Sequence, residues 1–148
     1  MKRMTLSDCL CYVTGKTFRN MLSCYGPFIK GYNLTVSQLF LLLALYEKDG
    51  STPQELSSKL ALNSSTLTGI LDRLENKGLI IRQTNASDRR STIIRLTQRA
   101  KGLKEKLWAI YEEVNGNLCS ALSQEEMEAL FSIMGKLEAR ANEMQNQT

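Results

Sequence analysis

From residue 5 to residue 144, apolar residues recur at spacings of three and four, the helical period. The exception is one region where β-branched residues gather in two short runs, 79–84 and 91–96. Thr5-Leu6-Ser7-Asp8 is a capping box and predicts a first helix of about twenty residues. Its apolar positions are Cys9, Leu10, Val13, Phe18, Met21, Leu22 and Tyr25. They are too widely spread for one narrow stripe, so burial on more than one side, against a partner copy, is expected. Gly26-Pro27 should stop or kink this helix near Tyr25, because a residue before proline avoids helical angles. Asn33-Leu34-Thr35 marks the next helix start. Residues 36–46 are nearly all apolar and suit the central buried helix of a small α domain. Asp49-Gly50-Ser51 reads as a turn beside a very short strand.

The most informative stretch runs from Thr52 to Thr97. Thr52 can accept at the N-cap, Pro53 fits the first helical position and Glu55 completes a capping box. Leu56 and Leu60 give this short helix its inward stripe. Ala61-Leu62 is a tight turn, and Asn63 or Ser64 caps a second helix to Asn76, with Leu67, Ile70, Leu71 and Leu74 on its inner face. Gly78 ends it, as a residue suited to a left-handed conformation. The two β-branched runs follow, joined by the polar segment Asn85-Ala86-Ser87-Asp88-Arg89-Arg90. Helix, turn, helix and a basic-tipped hairpin make a winged helix-turn-helix. Its second helix would enter a major groove, and its hairpin tip would reach the backbone or minor groove beside it.

Thr97 predicts a long helix carrying Ala100, Leu103, Leu107, Ile110, Val114 and Leu118 in one stripe. Ser123-Gln124-Glu125-Glu126 caps a last helix with Met127, Leu130, Met134, Leu137, Ala141 and Met144. Both have coiled-coil-like seams. The expected fold is mainly α with a small β-hairpin wing: one domain over residues 1–148, with a DNA-binding part at 34–97 and dimerisation helices at 5–30 and 98–144.

Charge agrees with this placement. Residues 73–104 carry nine Lys/Arg against two acids, a local balance of +7, whereas the whole chain of 148 residues is only +4. The positive charge therefore gathers where phosphates would be met. The chain contains no histidine, which removes Ser-His-Asp and Cys-His catalysis and His-containing metal sites. Its four cysteines, Cys9, Cys11, Cys24 and Cys119, lack the C-x-x-C spacing of zinc and thioredoxin-like sites. No enzyme, metal or cofactor is expected. The early charges and the lack of a long apolar run point to a cytoplasmic protein without a membrane span.

With these residues in this order, the chain resembles the MarR family of transcriptional regulators. The carrying pieces are Leu34-Thr35-Val36-Ser37-Gln38, Glu55-Leu56-Ser57 and Asn63-Ser64-Ser65-Thr66-Leu67-Thr68. They continue with residues 71–80, Asp88-Arg89-Arg90 and Leu96-Thr97. The resemblance implies a homodimer joined through its terminal helices, and two wings on a pseudo-palindromic double-stranded operator. It also implies repression relieved by a ligand or by oxidation. A narrower likeness, carried by Cys11, Tyr25-Gly26-Pro27 and Leu34-Thr35, is to the peroxide-sensing OhrR branch. It implies that Cys11 is the sensor and that Tyr25 hydrogen-bonds the thiol of the other subunit. That branch has further tyrosines where this chain has Gly15 and Val36.

The candidate DNA contacts are Ser64, Ser65, Thr66, Thr68 and Arg73 on the second helix, with Asp88, Arg89 and Arg90 at the tip. Asp88 can hold Arg90 in one pose for a narrow minor groove. The bland counterpart is a capped, solvated helix face and a solubilising tip. Cys11 is either a redox sensor or a small buried hydrophobe. Tyr12, Phe18, Trp108 and Tyr111 either line a pocket for a small-molecule inducer or form an aromatic core. The rival function is a winged-helix protein–protein assembly module, which would show a flat salt response and no DNA sequence preference.

Overall fold

The computed structural model describes residues 4–85 and 90–146. Two compact units divide the chain, residues 1–112 and residues 113–148.

The first unit begins differently from expectation. The Thr5 capping box forms, with Asp8 Oδ2 accepting from the Thr5 backbone at 2.8 Å. It caps only a 3-10 turn, Leu6–Asp8, because Cys9 then adopts extended angles (φ −84°, ψ 117°). Helix α1 (Leu10–Ser23) starts after that break and has 14 residues instead of about twenty. None of its residues is buried within one chain. Leu10, Val13 and Phe18 are all exposed. Pro27 acts as anticipated: α1 ends before it and a one-turn helix α2 (Gly26–Ile29) restarts with proline in its first turn.

Asn33 takes a left-handed conformation (φ 53°) and turns the chain into α3 (Val36–Glu47). Thr35 caps α3 through a reciprocal box with Gln38. Leu39, Leu41, Leu42 and Leu45 are fully buried, so α3 is the centre of the core. Ser51 bridges Ile94, giving the very short strand expected there. Gly50 carries φ 82°, which the turn requires. Helix α4 (Pro53–Leu60) has its Thr52–Glu55 box, and Ala61 closes it in the left-handed region. Helix α5 (Ser64–Asn76) buries Leu67, Ile70, Leu71 and Leu74. Gly78 (φ 65°) turns the chain into strand β1 (Ile80–Thr84), which pairs antiparallel with β2 (Thr92–Leu96) in the register Arg82 opposite Ile94.

Thr97 does cap a helix, accepting from Ala100 N–H at 3.2 Å. That helix, α6 (Gln98–Lys101), is one turn long and breaks at Gly102 before α7 (Lys104–Cys119) begins, so the single long helix is corrected to two. Gly102 contributes to the break, as glycine propagates a helix poorly.

The second unit holds the end of α7 and all of α8 (Gln124–Gln145), capped by Ser123 and Glu126. No residue of α8 is buried, and Phe131, Ile133 and Met144 are each more than half exposed. Among the described residues no buried side-chain polar atom lacks a partner, and no single helix is long and apolar enough to cross a membrane.

Candidate nucleic-acid interface

The candidate interface is the outer face of α5 together with the hairpin. Asn63 sets its start: Oδ1 accepts from Thr66 N–H and from Ser65 Oγ, both at 2.8 Å. Ser64, Ser65, Thr66 and Thr68 are all exposed. Their hydroxyls are not equivalent. Thr68 Oγ1 donates to the Ser64 carbonyl at 2.8 Å, and Ser65 donates to Asn63, so both protons are already engaged within the chain. The hydroxyls of Ser64 and Thr66 make no hydrogen bond among the described residues and are the readier donors to phosphate or base edges. Arg73 is exposed, in no ion pair among the described residues, and lies seven residues after Thr66. Two helical turns place these two on one face, about 10 Å apart along the axis.

Strand β1 packs beside this helix through Arg82, which pairs with Asp72 and Glu75. Arg90 is exposed at the start of the turn into β2. Asp88 and Arg89 lie outside the described residues, and so does the anticipated Asp88–Arg90 pairing.

Of the nine cations counted in the sequence, the seven other than Arg89 and Arg90 divide into two kinds. Arg82 grips Asp72 (2.6 Å) and Glu75 on the recognition helix. Lys101 and Arg95 flank Asp49, at 3.4 and 4.0 Å. Arg99 donates to the Lys77 carbonyl at 2.7 Å, and Lys77 itself reaches Gln38 at 2.9 Å. These side chains brace the domain, leaving Arg73 and Lys104 as exposed cations with no such partner among the described residues. Sequence reasoning placed all nine where phosphates would be met. The signal it passed over is Asp72 and Glu75, three residues apart on one helix face, where two adjacent carboxylates call for a cation.

At the other end of the first unit, Cys11 is exposed in the first turn of α1. Tyr25 is buried (4% exposed), its ring edge-on to Phe40 at 5.4 Å and 74°. The 14 residues of α1 separate the two by about 20 Å, so no contact between them forms within one chain. Trp108 and Tyr111, rings 5.8 Å apart, line a cavity of about 300 Å³ with Phe40, Leu43 and Leu60. The ion pair Glu47–Lys59 stands among its lining residues. Tyr12 and Phe18 do not line it; both project, exposed, from α1.

Comparison with known proteins places these features. The MarR family profile matches residues 34–92. The chain is 35% identical over 131 residues to the organic hydroperoxide resistance transcriptional regulator of Bacillus subtilis (strain 168), covering 88% of each protein. It is 32% identical to the HTH-type transcriptional regulator TtmR of Methylorubrum extorquens (strain PA1), covering 93% of this chain and 71% of that one. Among solved structures, the S. aureus MepR–DNA complex superposes with a TM-score of 0.80 at 28% identity, over 89% of this chain and 98% of the other. A helix-turn-helix with an exposed hydroxyl face, a two-stranded wing and this degree of likeness lead to one assignment: the chain belongs to the MarR family of transcriptional regulators.

Proposed function

We propose that this chain is a dimeric transcriptional repressor whose grip on its operator is released when Cys11 is oxidised. The observation that carries the DNA-binding part is the outer face of α5, where Ser64, Thr66 and Arg73 stand exposed beside the hairpin. Residues 34–97 form the DNA-binding part. Residues 5–30 and 98–144 join the two copies. The exposed apolar side chains of α1 and, separately, of α8 support that division, since single copies in water rarely leave so much apolar surface uncovered. Two recognition helices then meet successive major grooves about 34 Å apart. The protein acts in the cytoplasm, where its operator lies. An assembly module without DNA specificity is not favoured, because the relatives are transcriptional regulators.

The sensing part rests on Cys11 and on the 35% identity to a hydroperoxide-resistance regulator. An exposed Cys11 thiolate attacks the terminal oxygen of an organic hydroperoxide. A sulfur–oxygen bond forms, the oxygen–oxygen bond breaks, and the departing alkoxide takes a proton from water, giving the sulfenic acid and an alcohol. Tyr25 of the partner copy would lie near that thiol. The test is operator binding by the purified dimer with and without cumene hydroperoxide, for wild type and Cys11→Ser. Wild type should release DNA and Cys11→Ser should hold it. Equal responses by the two proteins would refute the sensor.

A second reading is favoured by the cavity beside Trp108 and Tyr111, whose 300 Å³ lies in the range for a small ligand. A small apolar inducer bound there would act without Cys11.

A further inference from the structure

We infer that Arg82 is a positioning residue for DNA recognition: its two-pronged grip on Asp72 and Glu75 fixes the angle between wing and recognition helix, and it contacts no phosphate itself. The inference rests on the DNA-binding reading and not on the sensor. Arg82 Nη2 lies 2.6 Å from Asp72 Oδ1, while Nη1 pairs with Glu75. The backbone N–H of Arg82 also donates to Glu75 Oε1, at 3.3 Å. One residue of β1 is therefore tied to two positions of α5 by three contacts.

Such a strut is needed there. The chain passes from α5 to β1 through Lys77, Gly78 and Leu79, and Gly78 sits at φ 65°. A glycine turn is a soft joint. Leu79 and Ile80 anchor one side of that joint in the core, but beyond Ile80 every residue of β1 is exposed. Arg82 holds the outer half of the wing to the helix. A planar guanidinium meeting two carboxylates fixes direction as well as distance, which an ammonium does not. The pair of acids keeps the guanidinium charged and occupied. Arg73, next to Asp72, stays outside the clamp and open to the duplex.

The two possible roles of Arg82 leave different marks. A phosphate-contacting arginine contributes about one unit to the slope of log K against log salt. A strut contributes none, yet its loss lowers the preference for operator over random DNA. We would measure the affinity of the full-length dimer for a selected operator and for a random duplex across salt concentration. The proteins are wild type, Arg82→Gln and the double variant Asp72→Asn/Glu75→Gln. Arg82→Gln should weaken operator binding about tenfold with the slope unchanged. The double variant sheds two negative charges, so it should bind random DNA more tightly while its operator preference drops about tenfold. Thermal melts record whether each variant folds; should Arg82→Gln unfold, the double variant alone decides. A slope reduced by about one in Arg82→Gln would overturn the inference. So would a double variant that tightens on both duplexes alike, or unchanged operator preference in either variant.

Discussion

Lys77, at the end of the recognition helix, donates through Nζ to Gln38 Oε1 at 2.9 Å, across 39 positions of sequence. The same oxygen accepts from the Thr35 backbone at 3.1 Å, and Gln38 is only 2% exposed. Lys77 also reaches the carbonyl of Asn33, the left-handed residue before α3. The end of α5 is thus stapled to the start of the core helix, and through Asn33 to the segment that leads back to α1. Replacing Lys77 by Met removes charged hydrogen bonds to partly buried acceptors. Urea unfolding at fixed protein concentration should show a loss of about 1–2 kcal/mol. A change below about 0.3 kcal/mol would show that the staple adds nothing.

The cap of α4 predicts a pH signature. Glu55 accepts from Lys48 Nζ at 2.6 Å and from the Thr52 N–H at 2.7 Å, and these partners bring its carboxyl from 4.5 to about 2. A carboxyl depressed in the folded state adds stability above its unfolded value and loses it as pH falls toward the folded one. The stability difference between wild type and Glu55→Gln should therefore be full above pH 4.5 and vanish near pH 2. A difference independent of pH would contradict this. Thr52→Ala, which removes the acceptor for Glu55 N–H, should cost about 1 kcal/mol.

Ile94 joins the wing to the core. Its side chain is fully buried, and its backbone donates to the Ser51 carbonyl at 2.8 Å and accepts from Gly50 at 3.0 Å. Ile94→Ala leaves a cavity and should cost about 2–5 kcal/mol in chemical denaturation. A smaller loss would mean that the site collapses around the gap.

Arg90 is exposed at the end of the hairpin, so Arg90→Ala should weaken operator binding and lower the salt slope by about one. Undiminished binding in a shift assay would remove the wing from the interface.

These residues also mark how far the fold was legible in the chain itself. Thr52, Thr97 and Ser123 were each identifiable as caps, Asn63 as one of two candidates and Thr35 as part of a helix start, because a cap is set by four neighbouring residues. Where a capped helix stops was less legible. Thr5 and Thr97 each open only a single turn, since Cys9 turns extended and the helix breaks at Gly102. The struts were not legible at all. Lys77 finds Gln38, and Arg82 finds Asp72, only after the chain has folded back, and local charge counting assigns both to the phosphate-facing surface. The aromatic candidates separated for the same reason: Trp108 and Tyr111 are one helical turn apart and meet, while Tyr12 and Phe18 belong to α1, which buries nothing within one chain.

The central claim is that paired winged helices grip DNA through charge and an exposed hydroxyl face. Its most direct measurement is binding of the full-length protein to a selected operator across salt, with the number of chains per duplex read by sedimentation. Two chains per duplex and a log–log slope of about −5 or steeper are expected. A single chain per duplex, or an affinity indifferent to salt, would contradict the account.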